Sequence, residues 1–266
     1  MSAVVASLQG RFGNQCMTYL FCRALAQMTG SEIQVEPWVG EKIFEIPVRR
    51  PTGGATRMNA IEALEWAKLD FSGNIGAKNR RSGGCGAIEV RDYCQHQRCM
   101  IYSKRDAQSW LRLRPEIEAA CQNAVRSHDA EDAKVVIHHR RGDLTGYGYP
   151  QLDRRSFGPA CEEFGLKYQT PEAIVLSEEY PIPHAGHLPD DLSFMPDFYR
   201  MMTAPTLLRG NSSFSWLAAL LGNGLVLSPV VDGLEGGKEH ICHFVAGNHP
   251  KFAPHLDFVT DLFISP

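Results

Sequence analysis

The chain has 266 residues, of which 44% are hydrophobic and 21% charged, and a formal net charge of -3. That length exceeds a typical domain of ~100–150 residues and sets an expectation of two similar halves, each with its own core. The charge excludes a nucleic-acid-binding surface that dominates the molecule, the composition excludes wholesale disorder, and no run of ~20 apolar residues is present to cross a bilayer.

Ala3 to Leu8 is short and apolar and runs into Gly10-Arg11-Phe12-Gly13, the composition of a buried strand ending in a glycine turn. From Asn14 to Met28 the apolar positions Met17, Leu20, Phe21, Ala24, Leu25 and Met28 recur at three and four, which predicts a helix stopped by Gly30. Glu32 to Glu36 alternates like a second strand. Strand, turn, helix, strand is a βαβ unit, whose parallel sheet turns its loops and helix N-termini to a ligand-facing edge. Between Val48 and Gly86 the pattern dissolves into glycine, proline, arginine and asparagine, with one helical segment at Asn59 to Leu69. Pro115 to Val125 reads as a helix opened by proline, and the polar stretch Ser127 to Ala133 places a domain boundary near Asp129, giving halves of 1–128 and 129–266.

In the second half, strand-like runs at Lys134 to His138, Ala173 to Ser177, Thr206 to Arg209 and Leu225 to Leu227 alternate with helical stretches at Phe157 to Phe164, Met195 to Ala204 and Phe214 to Leu221. That alternation predicts a parallel sheet covered on both faces, with ligands at the carboxyl ends of the strands. The eight cysteines form no regular framework and no CxxC pair, and Cys16 and Cys22 fall inside an apolar helix, so reduced thiols are expected. With no secretory layout at the start, the reading is cytoplasmic, with peripheral attachment to the inner membrane face left open.

The segment Val135-Val136-Ile137-His138-His139-Arg140-Arg141-Gly142-Asp143 is a strand whose carboxyl end delivers two arginines and then a turn. Guanidinium forks match phosphate oxygens, so Arg140 and Arg141 could neutralise a diphosphate while Asp143 orients one of them. The alternative is a surface basic pair bridged to Asp143, and this segment alone does not decide between them. A strand then leads into Gly210-Asn211-Ser212-Ser213 and a helix from Phe214. Asn and Ser are preferred N-caps, and a helix N-terminus offers unpaired amides to an anion, so Ser212 or Ser213 could hold the same diphosphate; an ordinary cap is the other reading. Gly13, Asn14 and Gln15 stand at a second such helix start, although Gly10-x-x-Gly13 lacks the full phosphate-loop and dinucleotide fingerprints. His138 and His139 alternate across a strand, so only one of them can face the site. Glu36, after the second strand, is a candidate general base beside its reading as a surface carboxylate. No Asp-x-Asp element is present, and His240, Cys242 and His243 do not have the spacing of a familiar zinc site, so no metal and no cofactor are expected.

These segments together resemble the inverting alpha-1,2-fucosyltransferases, within the wider group that includes nodulation alpha-1,6-fucosyltransferases and protein O-fucosyltransferases. The family's opening GNQ is similar to Gly13-Asn14-Gln15 followed by Tyr19, Phe21 and Arg23-Ala24-Leu25; its HxRRGD motif to His138, Arg140, Arg141, Gly142 and Asp143; its NSSFSW motif to Asn211 to Trp216. Tyr93 and Gln95, and Ser177-Glu178-Glu179, are weaker echoes. The string Gly-Arg-Phe-Gly-Asn-Gln is closer to protein O-fucosyltransferases, and Trp216-Leu217 departs from the family's tandem tryptophan.

The resemblance implies an α/β fold of the GT-B type, two Rossmann-like domains facing across a cleft, with a GDP-sugar, GDP-fucose, held mainly by the second domain and a glycan acceptor mainly by the first. It implies that Arg140 holds the departing diphosphate, with Asp143 as its catalytic companion. The donor-binding set is then Gly13, Asn14, Gln15, His138, Arg141, Asn211, Ser212, Ser213 and Phe214. Two further readings stay open: transfer of another GDP-hexose, and a non-catalytic glycan-binding or adhesion module that displays Arg141-Gly142-Asp143.

Overall fold

The structure is a computed structural model that describes residues 2–67, 86–128, 132–140, 152, 154–163, 165–166, 173–184, 186, 188–230 and 251–254. The chain divides between Arg112 and Leu113 into two compact units. This division precedes the boundary expected near Asp129, because the helix Pro115–Arg126 packs within the second unit rather than closing the first.

The first unit runs β1 (Ala3–Ala6), α1 (Phe12–Thr29), β2 (Glu32–Val35), α2 (Gly40–Ile43), β3 (Thr56–Met58), α3 (Ala60–Trp66), β4 (Ala87–Val90) and α4 (Lys104–Trp110). Its four strands lie in the order β2-β1-β4-β3, all parallel. Helix α1 ends where Gly30 turns into the left-handed region, at φ 65°, and its N–H returns to Ala26 O and Gln27 O. Helices α3 and α4 are each started by a capping box, Asn59 with Glu62 and Ser103 with Asp106, which gives short helices defined ends.

The pleat of this sheet separates two unlike faces. Val4, Ile33 and Ile88 share one register row and Ala6, Val35, Val90 and Met58 another, forming an apolar face. Gln34, Val5, Glu89 and Arg57 form the row between them, on the opposite face. That second face is polar: Arg57 Nε bonds Glu89 Oε2 at 3.1 Å, Gln34 Nε2 donates to Glu32 Oε2 at 3.4 Å, and Arg49 pairs with Glu32.

The second unit runs α5 (Pro115–Arg126), β5 (Val135–His138), α6 (Arg154–Glu163), β6 (Ala173–Leu176), α7 (Met195–Met202), β7 (Thr206–Leu208), α8 (Ser213–Leu221), β8 (Leu225–Val230) and β9 (Lys251–Pro254). Its order is β6-β5-β7-β8-β9, parallel except for β9, which runs antiparallel to β8 and was not expected from the sequence. Here both faces are apolar. Val135, Ile137, Leu208 and Leu227 pack against Phe157, Ala160 and Cys161 of α6, while Val136, Leu207 and Val226 occupy the alternate rows. Helices α5, α7 and α8 pack together, and α7 lies against β5. Among the described residues no helix is long and apolar enough to cross a membrane.

Candidate functional site

In the second unit the carboxyl ends of β5 and β7 lie side by side, since Ile137 pairs with Leu208 in a parallel register. The residues leaving one strand therefore meet those leaving the other: His138, His139 and Arg140 from β5, and Arg209 to Ser213 from β7. Gly210 makes the approach close. A Cβ at that position would stand 2.7 Å from the His138 carbonyl oxygen, so any side chain there would collide with backbone.

The two histidines divide as strand alternation requires. The ring of His139 stands edge-on to Phe157 on the α6 side, with centroids 5.8 Å apart, whereas the ring of His138 faces Phe214 at 6.0 Å. His138 is buried, and its Nδ1 has no hydrogen-bond partner among the described residues. Burial, and then the neighbouring Arg140, His139 and Arg209, push its pKa down to about 3, so the ring is neutral at physiological pH. A buried nitrogen that neither donates nor accepts is costly to maintain and marks a place where a ligand can complete the bonding.

Arg140 bridges the strands. Its Nη1 donates to the Asn211 carbonyl oxygen at 3.4 Å, immediately before the start of α8. That start is capped by Ser212, whose extended backbone (φ -157°, ψ 134°) lets its Oγ accept the Phe214 N–H at 3.2 Å. Phe214 anchors the first turn among Phe194, Phe198 and His138, while Trp216 and the leucines beyond it are core. The sequence therefore yields both functions of this helix, an apolar body and a polar first turn at the sheet edge.

Arg209 is the member of this cluster that sequence reasoning missed. It is fully buried; its Nε donates to Ser228 Oγ at 2.7 Å and its Nη1 to Gly210 O at 3.4 Å. The only signal was a charged residue closing the apolar run Thr206-Leu207-Leu208. A guanidinium in an apolar layer holds the Gly210 turn from behind and adds positive charge beneath it. Ser215 Oγ donates to the same Gly210 carbonyl at 3.3 Å. Together Arg140, the neutral His138 and the amides opening α8 form a setting suited to the phosphates of a nucleotide.

His138, Arg140, Asn211, Ser212, Ser213 and Phe214 are thus brought together in the second unit. Arg141, Gly142 and Asp143 lie outside the described residues, as do His240, Cys242 and His243. Among the described residues no group of three or more His, Cys, Asp or Glu is placed to hold a metal ion.

Gly13, Asn14 and Gln15 belong to the first unit, in the opening turn of α1. Gly10 there adopts φ 74°, Gln15 Nε2 donates to Gly10 O at 3.0 Å, and Gln95 Nε2 donates to Asn14 Oδ1 at 2.6 Å. The turn Asp92-Tyr93-Cys94-Gln95 directs Gln95 inward and leaves Tyr93 exposed; Asp92 Oδ1 accepts the Cys94 N–H at 3.0 Å, and Asp92 Oδ2 the Ala60 N–H at 3.1 Å. Glu36 is exposed just past β2.

Neither a protein-family model nor a curated protein sequence matches the chain. Solved structures do. The fucosyltransferase NodZ from Bradyrhizobium is similar with a TM-score of 0.57 at 14% identity, over 95% of this chain and 98% of that one. NodZ alpha-1,6-fucosyltransferase co-crystallized with GDP gives a TM-score of 0.54 at 15% identity, over 85% of this chain and 94% of that one. The same enzyme soaked with GDP-fucose gives 0.54 at 15%, over 95% and 98%. At this identity the likeness establishes the fold: an α/β chain of the GT-B type, as the sequence led one to expect.

Proposed function

We propose that the chain is an inverting glycosyltransferase that moves L-fucose from GDP-fucose to a hydroxyl of a glycan acceptor, in alpha-1,2 linkage to a galactoside. The observation that carries the reading is the meeting of Arg140 and the Asn211–Phe214 turn at the carboxyl edge of the second sheet, with the unpartnered Nδ1 of His138 beside them. The similar fold of NodZ, solved with GDP and soaked with GDP-fucose, supports the choice of donor. In this reading the second unit holds GDP and the first holds the acceptor.

As the bond between sugar and phosphate breaks, the electron pair stays with the departing GDP and the sugar takes on oxocarbenium character. Arg140 and the amides opening α8 are fixed in place before reaction, so they take up the new phosphate charge without reorganising. Arg209, behind Gly210, keeps that turn in register. His138 is neutral and presents Nδ1 as an acceptor or a donor according to tautomer. The acceptor hydroxyl attacks the sugar from the face opposite the departing GDP, and its proton passes to a general base and from there to water.

The test is a thermal-shift titration with GDP, UDP, ADP and GDP-fucose. Guanine-selective stabilisation is expected, because a ligand that binds only the native state raises its stability. Equal shifts with all nucleotides would remove the donor assignment. Linkage analysis of the product decides between alpha-1,2 and the alpha-1,6 transfer named for NodZ, and turnover of GDP-mannose alone would replace fucose with another hexose.

A further inference from the structure

The polar face of the first sheet carries a cavity of about 410 Å³, lined among others by Val5, Glu36, Gly53, Gly54, Arg57 and Glu89. Its floor is one register row: Val5 on β1, Glu89 on β4 and Arg57 on β3 lie opposite one another. Glu36 comes after β2 with the same parity as Gln34, so it continues that face past the strand end, and the cavity stands at the carboxyl edge where α/β sheets receive ligands.

The volume falls within the ~300–1,000 Å³ of small-molecule sites. The chemistry narrows the ligand. Two carboxylates and one guanidinium leave a net negative charge, which disfavours a phosphate or a carboxylate. Glu36 and Glu89 offer paired oxygens that accept from neighbouring hydroxyls, Arg57 offers a fork that donates, and Val5 supplies an apolar patch for a ring face. A neutral pyranose, with hydroxyls around its rim and C–H groups on its faces, satisfies all three. A polar row on a parallel sheet is itself unusual, since both faces of such sheets are ordinarily apolar and covered.

We infer that this cavity is a subsite for a neutral sugar ring of the acceptor glycan, recognised through Glu36, Glu89 and Arg57; the inference rests on the sugar-transfer reading of the chain. Gly54 provides the test. A Cβ there meets nothing within 4 Å and its φ lies outside the left-handed region, so Gly54→Trp adds a large side chain at the cavity wall without opposing the backbone.

Methyl β-galactopyranoside and methyl N-acetyl-β-glucosaminide, monitored by saturation-transfer NMR on the GDP-loaded protein, are the probes. At least one glycoside is expected to bind the wild type, to lose its signal in Gly54→Trp, and to bind ~10-fold more weakly in Glu36→Gln and in Glu89→Gln, with GDP affinity the same in all four proteins. Equal glycoside binding by Gly54→Trp overturns the inference, as does a wild type that binds GDP and neither glycoside. A loss of GDP affinity in the variants also overturns it, by placing the nucleotide there. Glycoside binding lost in Gly54→Trp by a protein that never binds GDP upholds the sugar subsite and removes the transferase reading instead.

Discussion

The two sheets are built on the same parallel plan and differ in what their faces carry. In the second, the rows Ile137-Leu208-Leu227 and Val136-Leu207-Val226 are apolar on both sides, and among the described residues polar groups gather where the strands end, at His138, Arg140 and the start of α8. In the first, one face is apolar while the row Gln34-Val5-Glu89-Arg57 brings charge onto the other. A sheet apolar on both faces can be closed by helices, which confines binding to its edge. A sheet with a polar face keeps part of its surface available. The second unit is thus suited to a compact anion held by fixed dipoles and guanidinium groups, and the first to a neutral ligand spread over a face.

Three substitutions press on that contrast. The largest effect is expected from Arg140→Ala, which removes the guanidinium next to the Asn211 carbonyl and, in the proposed donor site, a charge partner of the phosphates. Losses of ~3 kcal/mol, or roughly 100-fold in GDP affinity, are typical for truncating one member of a desolvated charge pair. Isothermal titration measures it, and an Arg140→Ala protein with wild-type GDP affinity would break the assignment of the anion to this edge. Next is Gly210→Ala. A methyl group 2.7 Å from the His138 carbonyl forces β5 and the turn before α8 apart, for ~1–3 kcal/mol of stability in urea melts. Gly54→Ala in the first unit, where a Cβ meets open space, is the matched control and should stay within ~0.5 kcal/mol of wild type.

The same division governs how much was legible in the residues. The apolar runs of the second half and the helix at Phe214 announce a parallel sheet because they are buried on both faces, and burial leaves its trace in composition. The first unit's β3 and β4 were not legible. Thr56-Arg57-Met58 and Ala87-Ile88-Glu89-Val90 place charge at strand positions, and they flank a glycine-rich tract that resembles loop. The cluster around His138 could be read as motifs but not as geometry. The fully buried state of Arg209 depends on Ser228 across the sheet, a tertiary partner that no local pattern reveals. The early division at Arg112 was hidden for a similar reason: α5 looks like the close of the first half in sequence, and its packing on α7 is a long-range contact.

A pH-dependent effect separates the two units by their treatment of a carboxylate. Glu89 on the polar face has Arg57 at 3.1 Å, whereas Asp197 on α7 is held in the second unit with the Ile182 N–H donating to its Oδ1 at 2.7 Å. Burial outweighs that hydrogen bond and pushes the Asp197 pKa up to about 7, against an ordinary value of 3.8. Below 3.8 the carboxyl is neutral whether the chain is folded or not. As pH rises from there the unfolded chain ionises first, so stability falls until the native carboxyl has titrated near 7. Asp197→Asn keeps an oxygen for Ile182 and removes the charge. It should therefore stabilise the protein at about pH 8 and have little effect at about pH 4, the gain being of order 1 kcal/mol because the new amide N–H groups need partners of their own. His138 works in the opposite direction: its depressed pKa costs stability as pH falls below 6.5 toward about 3, in the wild type and the variant alike. Urea melts of both proteins across this range cancel that common slope, and a difference between them that does not grow as pH rises would show that Asp197 is solvated like a surface carboxylate, and that the second unit is less apolar around α7 than its packing indicates.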